Sequence, residues 1–213
     1  MEWTSLFLKM KNKKVFVLGS GEVGLRRAKR FFDAGSEVII AGTILPKELK
    51  GIRLKQVDIK NNVSYDLLNE LKELVDWSDL VVVASENHEL NEEISLMAEN
   101  KLLNRADLPQ KGNIIVPTKF SIDSIEISIY TGGKSPIIAK ELKKRISKAI
   151  THIDILQIEL QDYSRNILKE KKLNQKERKE ILLEIFNDDK IKKLIEEENL
   201  EEAKKYVLMK IGF

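Results

Sequence analysis

The chain has 213 residues, of which 42% are hydrophobic and 33% are charged, and its formal net charge is +3. This length predicts one or two domains with a real core, and so small a net charge does not predict a general affinity for nucleic acid. The sequence contains no cysteine, which excludes disulfide bonds, iron–sulfur clusters and a thiol nucleophile, and its two histidines, His88 and His152, are too few for a histidine-rich metal site.

The sequence gives no sign of membrane insertion or secretion. No run approaches the roughly 18 apolar residues that a membrane span needs. Residues 1–9 lack the basic start and the long apolar core of a signal peptide. We therefore expect a cytoplasmic protein that binds neither a membrane nor nucleic acid.

Strand and helix patterns alternate through the first half of the chain. The sequence predicts strands at 15–19, 37–41, 52–57, 80–84 and 102–104, and helices at 24–34, 65–74 and 91–100. The continuous apolar segment 80–84 is typical of a parallel strand that is buried on both faces. Repeated β-α-β units at this spacing predict an α/β fold with a Rossmann-type, doubly wound parallel sheet, which binds ligands at the carboxyl edge of its strands.

The first strand leads into a glycine-rich turn, Gly19-Ser20-Gly21-Glu22-Val23-Gly24. This spacing is typical of the phosphate-binding turn of dinucleotide folds, since Gly21 lets the backbone approach a pyrophosphate and Gly24 lets the helix pack against the strand. The start of the helix then offers free N–H groups to the anion. We expect these six residues to bind a dinucleotide cofactor.

The second strand lacks the acidic residue that often binds the adenosine ribose in an NAD site. Thr43 stands near its end instead, and the nearest base able to bind a 2′-phosphate is Lys47. Because a basic pocket is missing, the sequence favours NAD over NADP. Thr43, together with Ala84 and Ser85 after the fourth strand, is expected to contact the cofactor.

A polar segment, Asn104-Arg105-Ala106-Asp107-Leu108-Pro109, follows the fifth strand. A carboxylate at the cofactor edge of the sheet could act as a general base, so Asp107 is the candidate catalytic residue. The alternative is a loop aspartate that only caps the backbone. His88 is expected to be a surface histidine.

The pattern changes beyond Pro109. Segments 113–117 and 125–130 alternate like antiparallel strands. A second glycine-rich turn, Thr131-Gly132-Gly133-Lys134-Ser135, then leads into a helix that begins at Pro136 and is expected to run past Ile150. This turn is not a P-loop, because Ser128 stands where the P-loop needs a glycine. It could bind an anion or be a structural turn only, and the basic run 134–148 could likewise be a solvated helix face.

The remaining sequence is helical in pattern, with breaks expected at 174–175 and 187–189. We therefore divide the chain into a nucleotide-binding Rossmann domain at 1–112, a small α+β region at 113–150 and a helical C-terminal domain at 151–213.

In their order along the chain, these motifs resemble the precorrin-2 dehydrogenase family, which is the dehydrogenase part of sirohaem synthase. The resemblance rests on the two glycine-rich turns and on the segment from Asn104 to Pro109, and it covers about residues 1–150. It implies an oxidoreductase that converts precorrin-2 to sirohydrochlorin in sirohaem biosynthesis with NAD⁺ as the hydride acceptor. Some members of the family also insert Fe²⁺ as ferrochelatases.

The resemblance also implies roles for individual residues. Asp107 matches the family's aspartate that is implicated in proton transfer. Residues expected to bind the tetrapyrrole substrate are Asn104, Thr131, Gly132, Gly133, Lys134 and Ser135. The family forms homodimers through a region that matches 113–148, and Fe²⁺ would be bound only transiently, without a preformed set of metal ligands.

Two other functions remain open from the sequence. A non-enzymatic NAD(H)-binding regulatory module would also begin with the glycine-rich turn, although it would usually carry the acidic residue that is missing near Thr43. A chelatase would hold a tetrapyrrole without oxidising it. NAD binding without tetrapyrrole binding would favour the first, and iron insertion without NAD⁺ would favour the second.

Overall fold

The computed structural model describes residues 3–57 and 63–212, without the side chain of Glu48. Contacts within the chain divide it into two compact units, Met1–Val116 (unit 1) and Pro117–Phe213 (unit 2). The finer division of the sequence at residues 112 and 150 stays a prediction. Within the described ranges, no helix is both long and apolar enough to cross a membrane.

Unit 1 is built around a parallel sheet that has five strands among the described residues. The strands are β1 (Lys14–Leu18), β2 (Glu37–Gly42), β3 (Arg53–Gln56), β4 (Leu80–Val83) and β5 (Leu102–Arg105), and the helices are α1 (Glu22–Asp33), α2 (Tyr65–Trp77) and α3 (His88–Met97). The strand order is β3-β2-β1-β4-β5, with every neighbouring pair parallel. This order confirms the predicted Rossmann-type, doubly wound sheet.

The sheet buries apolar side chains on both faces. Successive residues of a strand point to opposite sides, so Phe16 and Leu18 pack with α2 and α3, whereas Val15 and Val17 pack with α1. All four residues of β4 are fully buried, as the sequence predicts for a central parallel strand. Two covered faces leave the ends of the strands as the accessible part of the sheet.

The strand predicted at 113–117 is wrong. The backbone N–H groups of Asn113 and Ile114 both donate to the carbonyl of Leu103, at 2.9 and 3.1 Å, instead of pairing with another strand. Ile114 and Val116 pack against the α1 face of the sheet. The alternation of apolar residues therefore reflects packing of an irregular segment on this core.

Unit 2 begins with an antiparallel hairpin and continues with helices. The hairpin strands are β6 (Thr118–Ile122) and β7 (Ile125–Ile129), and the helices are α4 (Pro136–Ala149), α5 (His152–Glu170), α6 (Gln175–Asn187), α7 (Asp189–Glu196) and α8 (Leu200–Lys210). Apolar residues of α5 to α8 form one core, which includes Leu160, Ile185 and Ile195. This confirms the predicted helical C-terminal region.

The helix predicted to run past Ile150 ends before it. Asp154 accepts hydrogen bonds from both the backbone N–H and the hydroxyl of Thr151, at 2.7 and 2.9 Å, and this cap begins a new helix. The predicted breaks are confirmed, since Asn174 caps α6 and Asp188 caps α7. Polar capping residues thus divide the C-terminal half into its helices.

Candidate cofactor and active site

The glycine-rich turn after β1 is closely packed at its two ends. Gly19 has a φ of +103°, and a Cβ atom there would lie 2.4 Å from the carbonyl oxygen of Ala84. A Cβ atom on Gly24 would lie 2.0 Å from the carbonyl oxygen of Gly19. Real side chains do not tolerate such distances, so these two glycines allow β1, β4 and α1 to approach one another.

The middle of the same turn is open. Among the described residues, apart from the chain neighbours Ser20 and Glu22, no heavy atom lies within 4 Å of the position that a Cβ atom on Gly21 would occupy. Gly21 precedes α1 in an extended conformation, and no side chain in the described part of the chain caps the first turn of this helix, which contains Glu22 and Val23. Free N–H groups at a helix start beside open space fit a pyrophosphate. The residues present therefore fit a dinucleotide.

The turn is tied to the end of β2 by Ser20. Its hydroxyl oxygen accepts hydrogen bonds from the backbone N–H groups of Thr43 and Ile44, at 3.0 and 3.3 Å. Gly42 allows this contact, because a Cβ atom there would lie 2.4 Å from the Ser20 hydroxyl oxygen. Thr43 itself is exposed. Its hydroxyl is thus placed at the carboxyl edge, where a cofactor ribose would need a hydrogen-bonding partner.

The ends of β4 and β5 are connected by Asn91, a buried residue of α3. Its amide nitrogen donates to the carbonyl of Ser85 at 2.9 Å and to Oδ2 of Asp107 at 3.0 Å. Its amide oxygen accepts a hydrogen bond from the hydroxyl of Ser85. The side chain of Ser85 therefore positions Asn91, which in turn holds the carboxylate of Asp107.

Arg105 holds Asp107 from the other side. Its Nε donates to Oδ1 of Asp107 at 2.9 Å and its Nη2 donates to Oδ2 at 2.8 Å, which makes a two-point contact. The same guanidinium donates to Glu92 and to Ser95, each at 3.0 Å, and Lys111 donates to Glu92 at 2.8 Å. Two cations and two carboxylates thus balance one another at this edge of the sheet.

This cluster fixes the charge of Asp107. Burial acts to raise the pKa of Asp107, but the hydrogen bonds and the charge of Arg105, with the hydrogen bond from Asn91, outweigh it and lower the pKa to about 2. The hydrogen bond to Asp107 raises the pKa of Arg105 above its already high usual value, although burial opposes this. Both groups therefore stay ionised across the neutral range.

His88 lies next to this cluster. As the first residue of α3, it follows directly on Asn87, whose side chain caps the helix by accepting from the N–H of Leu90. Its Nδ1 is 4.0 Å from Oδ2 of Asp107. The imidazole is 86% exposed, whereas the carboxylate of Asp107 is 15% exposed. An exposed imidazole thus borders a mostly buried anion.

Asn104 is buried on the opposite side of the sheet from Arg105, because the two are consecutive residues of β5. Its amide nitrogen donates to the carbonyl of Ile114 at 3.0 Å, and its amide oxygen accepts a hydrogen bond from Arg27 of α1. Burial, together with the charges of Arg26 and Arg30, lowers the pKa of Arg27 to about 10. The polar atoms of Asn104 are therefore bound by protein, and its predicted contact with the substrate stays a prediction.

The second glycine-rich turn belongs to unit 2, whereas Asp107 belongs to unit 1. Gly132 and Gly133 have φ values of +67° and +74°, and the hydroxyl oxygen of Thr131 accepts from the N–H of Ser135 at 3.4 Å. Ser135 caps α4 by accepting from the N–H of Ile138 at 3.2 Å. Lys134 is exposed. These contacts stabilise the turn and leave the Lys134 ammonium accessible.

The sequence does not reveal the roles of Asn91, Glu92 and Arg105. One signal was available, since an arginine directly after a predicted strand of a parallel sheet needs a carboxylate partner if it is buried. Asp107 is two residues away, but Glu92 lies on a preceding helix, and only the fold brings that helix to Arg105.

Three comparisons with known proteins bear on this geometry. The family described as "Putative NAD(P)-binding" matches residues 6–118. A protein of Methanocaldococcus jannaschii named "Putative precorrin-2 dehydrogenase" is 36% identical over 202 residues, which are 90% of this chain and 95% of that protein. The "Precorrin-2 dehydrogenase" of Methanosarcina barkeri is 30% identical over 194 residues, 87% of this chain and 84% of that protein.

A solved structure titled "SirC, precorrin-2 dehydrogenase" covers 96% of this chain and 100% of its own, with a TM-score of 0.69 and 23% identity, and so shows the same fold. Sheet order, glycine-rich turn and family match together define an NAD(P)-binding Rossmann protein. Within that class, the extent of the matches shows that the chain belongs to the precorrin-2 dehydrogenase family. The resemblance seen in the sequence motifs is thereby confirmed.

Proposed function

We propose that this protein catalyses the NAD-dependent dehydrogenation of precorrin-2 to sirohydrochlorin in sirohaem biosynthesis. The observation that carries the proposal is the ionised carboxylate of Asp107, fixed at the same edge of the sheet as the dinucleotide turn. Bound NAD⁺ would supply the hydride acceptor. Family membership makes the oxidation of a reduced tetrapyrrole the reaction that fits this pair of features.

The glycine-rich turn would hold the cofactor. Backbone N–H groups at Gly21, Glu22 and Val23 would bind the pyrophosphate, and Gly19 and Gly24 make the necessary approach possible. Thr43, Ala84 and Ser85 complete the cofactor contacts that we propose at the ends of β2 and β4. The exposed hydroxyl of Thr43 would replace the acidic ribose ligand of other NAD sites.

The role that we propose for Asp107 is charge stabilisation. Removal of hydride from the macrocycle takes an electron pair away and leaves positive charge on it. A carboxylate that is already held by three hydrogen bonds stabilises such charge without having to reorganise. Its lowered pKa favours this role over the proton-accepting role suggested by the sequence, because so weak a base binds a proton poorly at neutral pH.

Further substrate contacts are proposed in unit 2. Precorrin-2 carries many carboxylates, and Lys134 is an exposed cation with no ion pair within the described part of the chain. The neighbouring positions Thr131, Gly132, Gly133 and Ser135 form the turn that presents it. We propose that this turn binds carboxylate side chains of the substrate. Fe²⁺, if it is a second substrate, would be inserted after oxidation.

A homodimer is proposed through the β6–β7 hairpin. Two strands alone are marginally stable in water, and this sheet has two strands among the described residues. Ile125, Ile127 and Ile129 are only half-buried on one side of β7. A second copy of the chain would cover them and pair with an open strand edge. Analytical ultracentrifugation tests this proposal.

The role of Asp107 is tested by Asp107→Asn, which keeps the size of the side chain and removes its charge. We expect turnover of precorrin-2 to fall about 100-fold, while the dissociation constant for NAD⁺ stays within about twofold of wild type because the glycine-rich turn is intact. Asp76→Asn, the same change at an exposed position of α2, is the matched control. Unchanged turnover in Asp107→Asn would remove this residue from the mechanism.

Two rival functions give different results in the same preparation. A regulatory module would bind NAD⁺ without binding or oxidising precorrin-2. A chelatase without dehydrogenase activity would insert Fe²⁺ or Co²⁺ into sirohydrochlorin in the absence of NAD⁺ and would produce no NADH from precorrin-2.

A further inference from the structure

We propose that the imidazole of His88 is the proton acceptor of the dehydrogenation, and that the carboxylate of Asp107 beside it stabilises the protonated ring as well as the charge on the macrocycle. The inference rests on the proposed function and assigns the proton-transfer step of that reaction to a residue outside the family motifs. Two structural features carry it: the 4.0 Å separation between Nδ1 of His88 and Oδ2 of Asp107, and the contrast between an exposed imidazole and a mostly buried carboxylate.

The backbone position of His88 is fixed by the start of α3. Asn87 caps α3 immediately after the β4 loop, and Asn91, one turn later on the same helix, binds Asp107 directly. His88 therefore lies on the helix turn that carries the partner of the carboxylate. The cap fixes where α3 starts, and the start of α3 places the imidazole at the carboxyl edge of the sheet.

Asp107 is poorly suited to accept the proton itself. Its two oxygens already receive hydrogen bonds from two nitrogens of Arg105 and one of Asn91. Protonation would weaken contacts that hold a buried guanidinium, whereas histidine exchanges protons readily near neutral pH.

With His88 as the proton acceptor, the dehydrogenation balances in protons and electrons. One C–H bond of precorrin-2 breaks with its electron pair, which leaves as hydride to NAD⁺. A second bond to hydrogen on the macrocycle then breaks, its electron pair stays to form the new double bond, and the proton goes to a ring nitrogen of His88. The imidazolium is 4.0 Å from Asp107 and 86% exposed, so it can release the proton to water.

The direct test is His88→Ala with chemical rescue. We expect turnover at pH 7 to fall about 100-fold, and added imidazole to restore part of it, because the exposed site leaves room for the free base. The NAD⁺ dissociation constant should be unchanged. His152→Ala is the matched control, since His152 is the other histidine of the chain and also the first residue of a helix. Wild-type turnover in His88→Ala, or a loss that imidazole does not restore, would overturn the proposal.

A second measurement does not depend on turnover. With two histidines in the chain, the imidazole signals in NMR spectra of the unliganded protein are assigned by comparing wild type with His88→Gln and His152→Gln. We expect Asp107→Asn to shift the ring signals of His88 and to leave those of His152 in place, because Oδ2 of Asp107 lies 4.0 Å from Nδ1 of His88. Unchanged ring signals of His88 would contradict the proximity of the two side chains.

The outcomes separate this inference from the proposed function. If wild-type protein oxidises precorrin-2 and His88→Ala does so equally well, the function stands and the role of His88 is wrong. If folded wild-type protein binds NAD⁺ and does not oxidise precorrin-2, the proposed function fails and the proton-transfer role fails with it.

Discussion

Arg105 carries a positive charge into unit 1 with 1% of its side chain exposed. A charge buried to this extent is tolerated only with partners, which Asp107 and Glu92 provide. The guanidinium in turn keeps the carboxylate of Asp107 ionised and in place. One buried residue therefore determines both local stability and the chemical character of the candidate active site.

The lowered pKa of Asp107 predicts how stability depends on pH. Its pKa falls from the usual 3.8 to about 2 in the folded chain, so the ionised group stabilises the fold above pH 4, and this contribution is lost as the pH falls from about 4 through about 2. A shift of this size corresponds to roughly 2 kcal/mol.

We expect urea unfolding between pH 6 and pH 2 to show a smaller loss of stability in Asp107→Asn than in wild type. The comparison with the variant is needed because other carboxylates with lowered pKa values, including Asp79 and Asp188, contribute to the wild-type curve. Parallel curves for the two proteins would contradict the assigned pKa.

At the scale of single residues, the candidate site can be predicted only in part from the sequence. The strand-end position of Asp107 is visible in the sequence, because carboxyl ends of parallel strands meet at one edge. Its ionisation state is not, since the pKa depends on Arg105 and Asn91, and the fold alone brings Asn91 to within 3.0 Å. The expectation that His88 is a surface histidine agrees with its exposure, but the sequence does not reveal its proximity to Asp107.

At the scale of elements, different glycines of the β1–α1 turn serve packing and cofactor binding. Gly19 and Gly24 are required because β4 and the turn itself leave no room for a side chain. Gly21 has open space around it, so packing does not require a glycine there. We attribute the glycine to the cofactor pyrophosphate that would fill this space. The three glycines of this motif are therefore required for different physical reasons.

This difference predicts opposite results for two substitutions. Gly24→Ala should lower the free energy of unfolding by about 1–3 kcal/mol, because its Cβ atom would overlap the backbone of Gly19. Gly21→Leu should keep the thermal stability and weaken NAD⁺ binding at least about tenfold, because the side chain would fill the open space. Thermal unfolding without NAD⁺ and titration with NAD⁺ measure the two effects. Wild-type NAD⁺ affinity in Gly21→Leu would mean that the cofactor binds elsewhere.

A second contact between elements joins α1, β5 and the segment after it. Arg27, Asn104 and Ile114 are linked by hydrogen bonds through the amide of Asn104. Asn104→Leu is expected to destabilise the chain by about 1–3 kcal/mol even without substrate, because the guanidinium and the carbonyl lose their partner. Denaturant unfolding tests this. Unchanged stability with a raised KM for precorrin-2 would instead support the substrate contact implied by the resemblance.

Local sequence patterns predicted most elements of both units, and the errors have identifiable causes. Residues 113–117 alternate like a strand because Ile114 and Val116 pack on a core that long-range contacts create. The end of α4 was missed because Thr151 and Asp154 form a helix cap inside a continuous helical pattern. Caps that contain asparagine at a visible break, such as Asn174, were easier to predict.

For the whole molecule, the similarity to relatives extends over both units. The matched protein of M. jannaschii covers 90% of this chain, well beyond the nucleotide-binding residues 6–118. The shared length therefore includes unit 2, which the proposed binding of substrate carboxylates near Lys134 would use.

The most direct test of this account is the formation of NADH by purified wild-type protein from precorrin-2 and NAD⁺, followed by absorbance together with the spectrum of the tetrapyrrole. The account predicts that one NADH appears for each sirohydrochlorin formed, and that no NADH forms when precorrin-2 is omitted. Absence of NADH from folded protein that is saturated with NAD⁺ and supplied with precorrin-2 would contradict it.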